Sequence, residues 1–167
     1  MPRLVFSIHQ DWVGKMPTYQ GQFVPGQVLN AADLNTFTPS AIYTSSGNQS
    51  VPSAVQTKLN FATYSSAGIT SWIGASNGLI TPTISGWYLV TSNVQHALSS
   101  VRAALWIFKN ASAVFSQDVL AQTYAETCSG LIFCNGTTDT ISSYVFQQSG
   151  AAINYNNYQL SVSLMFQ

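Results

Sequence analysis

The pattern of apolar and polar positions changes near residue 42. Beyond it, apolar residues recur at every second position in short runs, the period of a strand with one buried face. The closing run is the clearest: Leu160, Val162, Leu164 and Phe166 alternate with Gln159, Ser161, Ser163 and Met165. Further strands are predicted over Trp87–Val94, after the turn Ile84-Ser85-Gly86, and over Val101–Phe108, before Lys109-Asn110. Leu131–Cys134 runs into Asn135-Gly136, a strong hairpin signal. Ile141–Phe146 ends at Ser149-Gly150. No stretch beyond residue 42 has helical periodicity. Short strands separated by Gly and Asn turns predict an all-β fold over residues 43–167, a β-sandwich or jelly roll.

Residues 1–42 read differently. They hold four of the six prolines (Pro2, Pro17, Pro25, Pro39) and four of the ten charges (Arg3, Asp11, Lys15, Asp33). Arg3–Ile8 fits a short strand. Asp11–Gly26 is interrupted by Gly and Pro and reads as irregular, extended chain. Asn30–Asn35 fits one or two helical turns, with Asn30 as N-cap and Asp33 near the positive end of the helix. Pro39 would stop it. Such a segment cannot bury a core alone. It is expected to be an extended N-terminal arm that lies on a partner, with Leu4, Phe6, Trp12, Phe23, Leu29 and Leu34 as anchoring contacts.

Charge sharpens this picture. Only 6% of the 167 residues are charged and the net charge is zero, against about a quarter charged in ordinary soluble domains. The surface must therefore be Ser, Thr, Asn, Gln and Tyr. Attraction to nucleic acid or to an anionic membrane is not expected. No run of 18 apolar residues exists to span a bilayer. The apolar stretch near Met1 is too short for a secretory signal, so the chain is expected to remain in a cytoplasm until assembled. Zero net charge removes a protection against self-association, and a permanent place in an assembly would resolve that.

Candidate chemistry is sparse. The histidines, His9 and His96, lack the clustered thiols and carboxylates of a metal site, so no metal or cofactor is expected. Asp118, Glu126 and Asp139 are the only acids beyond the arm; they lie near predicted turns and read as solvated charges rather than a glycosidase pair. Catalysis is not expected. Cys128 and Cys134 lie on one strand, roughly 20 Å apart, too far for a disulfide. They share side-chain parity and read as two buried small hydrophobes. Asn48, Asn110 and Asn135 fit glycosylation acceptors by sequence but read as turn residues. Trp72, beside Gly74 in a polar stretch, is the best candidate for an exposed aromatic that stacks on a ligand.

From Lys58 onward the order of motifs resembles the jelly-roll family shared by tumour necrosis factor and the complement globular head. Lys58-Leu59-Asn60-Phe61 resembles its early strand. Asn77-Gly78-Leu79-Ile80-Thr81-Pro82-Thr83-Ile84-Ser85-Gly86-Trp87-Tyr88 resembles its Gly-Pro-Gly-Tyr signature. Leu105–Asn110 resembles its Leu-x-Lys-Asn strand and turn. Gly136–Ile141 resembles its Gly-Asp-x-aliphatic turn with an extra residue, and Tyr158–Phe166 its closing strand. The resemblance implies a homotrimer that binds rather than catalyses. Trp87, Tyr88, Trp106, Leu160, Val162, Leu164 and Phe166 would then supply core and trimer packing. No acidic cluster matches the calcium sites of some members, so calcium is not implied.

Phe23–Thr36 resembles a stretch near the start of bacteriophage virion proteins, where a (Val/Leu)-x-Ala-Ala-x-Leu-Asn run precedes a fibre or decoration domain. Arm and jelly roll together imply a virion structural protein, assembled in the host cytoplasm. It would be a homotrimer decorating or cementing the capsid, or a short head fibre, held by its arm to the major capsid protein or another virion protein. The alternative is a tail-fibre or receptor-binding tip that reads host cell-surface glycan through Trp72 or the Gln148–Asn157 loop.

Overall fold

The computed structural model describes residues 40–166, apart from 46, 62, 68–72, 77, 97–100 and 122–124. The arm contacts, the short helix at Asn30–Asn35 and Trp72 lie outside the described residues. The strand β1 (Ser40–Thr44) straddles the boundary expected at residue 42.

The described chain is all strand and connection, as the period-two pattern requires. One sheet holds β1, β4 (Thr63–Ala67), β7 (Ser85–Gln95), β10 (Ala125–Asn135) and β13 (Asn157–Phe166), in the order β10-β7-β13-β1-β4. The second holds β3 (Thr57–Lys58), β5 (Ile73–Ser76), β6 (Leu79–Pro82), β8 (Val101–Lys109), β9 (Ser112–Ala121) and β11 (Ile141–Gln147). Its order is β5-β6-β11-β8-β9, with β3 also paired to β11. A small ribbon joins β2 (Gln49–Val51) to β12 (Ile153–Tyr155). Apart from the hairpins β5-β6 and β8-β9, neighbours in each sheet are not consecutive in sequence, which gives the crossing connections of a jelly roll. All pairs are antiparallel.

The two sheets close on one core. Tyr88, Val90, Val94, Ile132, Leu160, Val162 and Leu164 of the first sheet pack against Leu105, Ile107, Ile141 and Val145 of the second. Cys128 and Cys134 are buried free thiols on the inward side of β10, as their shared parity requires. Burial pushes the Cys134 thiol up to about 11, with the Asp139 charge adding to it, which leaves it unreactive at neutral pH. Phe115 of β9 lies over Gly130 of β10, where an added Cβ would meet its ring at 2.2 Å. The missing side chain at Gly130 is thus the space that lets the open edges of the two sheets approach.

Polar side chains fix the ribbon to the sandwich. Gln147 is fully buried, and its amide nitrogen donates to the carbonyls of Val51 (3.0 Å) and Ala151 (2.8 Å) while its oxygen accepts from Ser149 N–H. Gln49 reaches the other way, donating to the Lys58 carbonyl and accepting from Asn60 N–H and the Tyr158 hydroxyl.

One position departs from the alternation read in the sequence. Leu160, Val162 and Leu164 face the core, but Phe166 is 48% exposed. A bulge between Leu164 and Phe166 adds a residue to β13, so that Leu164 lies opposite Tyr88 and Phe166 opposite Trp87. One extra residue reverses the side to which all later side chains point.

Candidate functional site

The bulge helps build the most distinctive surface of the protein. Trp87 and Leu89 of β7 point out of the first sheet, away from the core. Leu131 lies opposite Leu89, and Phe133 opposite Trp87, on β10. Phe166 completes the row on β13. The rings meet: Trp87 and Phe133 have centroids 5.8 Å apart at 61°, and Trp87 and Phe166 are 6.1 Å apart. These five side chains are 39–48% exposed, with Met165 and Ile42 as exposed neighbours on β13 and β1. Among the described residues this is a contiguous apolar face, the mark of an interaction site.

The same face turns polar along its length. Beyond Leu89 and Leu131 come Thr91 and Ser129, then Asn93 and Thr127. Thr127 donates to Asn93 Oδ1 (2.7 Å) and Asn157 donates to Gln95 Oε1 (3.0 Å). An open depression of about 430 Å³ lies here, lined among others by Thr44, Asn93, Gln95, Thr127, Asn157 and Gln159. The register shows which end is which. Ser40 pairs with Ser163 beside the apolar end, and Thr44 pairs with Gln159 at the polar end. The chain therefore enters the sandwich from residue 39, and reaches Phe166, at the apolar end.

The residues expected to pack core or trimer thus divide. Tyr88, Leu160, Val162 and Leu164 are core. Trp87 and Phe166 lie on the apolar face. Trp106 is half-buried on the outward side of the second sheet. Leu89, Leu131 and Phe133 were not singled out in the sequence. The signal was there: Trp87 to Val90 is apolar without alternation, the pattern of a strand covered on both sides.

The acids do not form a catalytic pair. Asp118, Glu126 and Asp139 each hold a separate basic partner: Arg102, His96 and Lys109. Two of them are not the solvated turn charges expected. Glu126 is 4% exposed, with Oε1 3.0 Å from His96 Nε2, itself 4% exposed. Asp139 is 6% exposed and accepts from Lys109 Nζ (2.9 Å), Asn110 Nδ2 (2.5 Å) and Asn135 N–H (2.9 Å). Among the described residues no group of three metal-ligating side chains gathers.

Burial pushes the Asp139 carboxyl up, but the hydrogen bonds from Asn110, Lys109 and Asn135 outweigh it and hold it below the usual carboxylate range. An acid with a depressed folded pKa adds stability above its unfolded value, near about 3.9, and that stability is lost as pH falls through the folded value. Asp139→Asn should therefore lower stability at neutral pH and flatten its fall below about pH 4. Urea unfolding at a series of pH values checks this; an unchanged slope in acid would refute it.

The strand order and pairing define a tumour-necrosis-factor-like jelly roll. Solved structures share it. The PRD1 vertex protein P5 is 22% identical, with a TM-score of 0.61 over 78% of this chain and 97% of that one. Murine APRIL at pH 5.0 is 11% identical, with a TM-score of 0.57 over 76% of this chain and 99% of that one. Eiger TNF from S. frugiperda is 11% identical, with a TM-score of 0.50 over 77% and 93%. No family model and no curated protein matches the chain by sequence.

Proposed function

We propose that the protein is a bacteriophage virion structural protein. It forms a homotrimer that decorates or cements the capsid, or stands on it as a short head fibre. The observation that carries the virion reading is the likeness to the PRD1 vertex protein P5, matched over almost its whole length. The apolar face around Trp87, Leu89, Leu131, Phe133 and Phe166 supports the trimer. Such a face is costly to leave in water, at about 25 cal/mol per Å². Three copies meeting about an axis would cover it, leaving the amide-rich end as a wetter rim.

The arm would then leave each subunit at the apolar end, so that three arms emerge together, pointing toward the virion. Binding through three weak arms raises the occupancy of each once one is seated, and the trimer stabilises the shell only while bound. The partner is the major capsid protein or another virion protein. Because β1 begins at Ser40, the informative truncation removes residues 1–39 and spares the strand. That variant should remain a folded trimer and fail to bind particles depleted of the protein, measured by co-sedimentation. Binding at the full-length level would sink the anchoring role.

A further inference from the structure

The outward side of the second sheet carries a group of rings that the trimer reading leaves unused. β8 turns Ala103, Leu105 and Ile107 to the core and Arg102, Trp106 and Phe108 outward. Trp106 lies opposite Tyr144 of β11 in the register. Phe146, next outward on β11, meets Trp106 with centroids 6.0 Å apart at 62°. Phe108 packs on Tyr144 at 4.4 Å. Trp106, Tyr144 and Phe146 are only half-buried, so part of each ring meets solvent.

A charge pair borders the rings. Arg102 lies over Phe146, its Cζ 5.4 Å from the ring centroid. It also grips Asp118 of β9, with Nε 3.0 and 3.1 Å from the two carboxylate oxygens and Nη2 in contact as well. The two side chains remain 47% and 43% exposed. Planar donors and acceptors held in place beside aromatic faces are complementary to a sugar. The axial C–H faces of a pyranose stack on rings, and its hydroxyls take hydrogen bonds from a guanidinium and give them to a carboxylate. Since Arg102 and Asp118 cancel, the surface offers little to a polyanion.

We propose that this face is a binding platform for a neutral polysaccharide strand, with Trp106 and Tyr144 as the stacking rings and the Arg102–Asp118 pair holding hydroxyls. The inference stands on the second sheet alone and goes beyond the virion reading. Where that reading holds, three platforms on one trimer face outward and a weak single contact becomes a firm multivalent one.

The test is a fluorescence titration and saturation-transfer NMR of the full chain with cellohexaose, chitohexaose and maltohexaose as probes. At least one probe should bind in the millimolar range, with affinity little changed by raised salt. Trp106→Ala and Arg102→Ala should each weaken binding by about tenfold, equivalent to about 1.4 kcal/mol. Trp106→Phe keeps a ring, guards against loss of folding, and should weaken it less. Leu131→Glu, aimed at the other sheet, should leave the single-site affinity unchanged, which separates this site from the trimer interface. No binding by any probe overturns the proposal. So does binding that Trp106→Ala and Arg102→Ala leave intact in folded protein, or a Trp106→Ala defect confined to particle attachment, which would mark a protein contact instead.

Discussion

On the proposed trimer, Leu131→Glu is expected to reduce the particle in solution from three times the chain mass of 18.0 kDa to one. Leu131 lies on β10, at the edge of the apolar face, opposite Leu89 and one pair from the Trp87–Phe133 contact. Covering a Leu or Phe side chain fully is worth about 1.5–3 kcal/mol, and each subunit offers several. A carboxylate there forfeits that gain and must also be desolvated, at several kcal/mol when it meets no partner. In the monomer the same side chain points into water and away from the core, so the sandwich should still unfold cooperatively. Light scattering with size-exclusion chromatography reads the mass, and circular dichroism the fold. A variant that stays trimeric would show that the subunits meet through another surface.

Gly78→Ala is expected to cost about 3–4 kcal/mol, enough to lower the melting temperature by roughly 10 °C. Gly78 has φ +73°, a conformation that costs other residues about 1–2 kcal/mol. An added Cβ would also stand 2.1 Å from the Leu59 carbonyl oxygen. Leu59 cannot retreat freely: its side chain is fully buried and its N–H donates to Ser143 at 2.9 Å. Two other glycines separate the causes. Gly150 has φ +86° but nothing within 4 Å, so Gly150→Ala should show the conformational cost alone, about 1–2 kcal/mol. Gly47 has neither constraint, and Gly47→Ala should lie within about 0.5 kcal/mol of the parent. Urea unfolding of the three variants measures this order. If Gly78→Ala and Gly150→Ala cost the same, the close approach to Leu59 has no energetic weight.

Much of the architecture was legible because alternation is a local property. The runs at Trp87–Val94, Val101–Phe108 and Ile141–Phe146 lie within β7, β8 and β11. What sequence missed depends on distant partners. β9 is an edge strand whose Ser112–Asp118 side chains are mostly exposed, so its apolar contrast is too weak to announce a strand. The bulge that turns Phe166 outward appears only in the pairing with β7. Glu126 looked solvated because its partner, His96, is 30 residues away and only the β7–β10 ladder brings them together. Trp87 and Tyr88 show the limit most plainly. One of two adjacent residues in a strand must face inward, but their chemistry alone does not say which.

The placement of β1 bears on how a load would pass through the molecule. β1 is the first described strand after the arm, and it is paired on both sides, with β13 and with β4, over five residues each. Tension applied through residue 39 would run along the strand, at right angles to the hydrogen bonds of the antiparallel ladders. Both ladders would then be sheared at once rather than opened one bond at a time. A trimer tethered by its arms would therefore resist mechanical detachment through its own fold. Under pull, the sandwich would hold up to the force at which both ladders shear together.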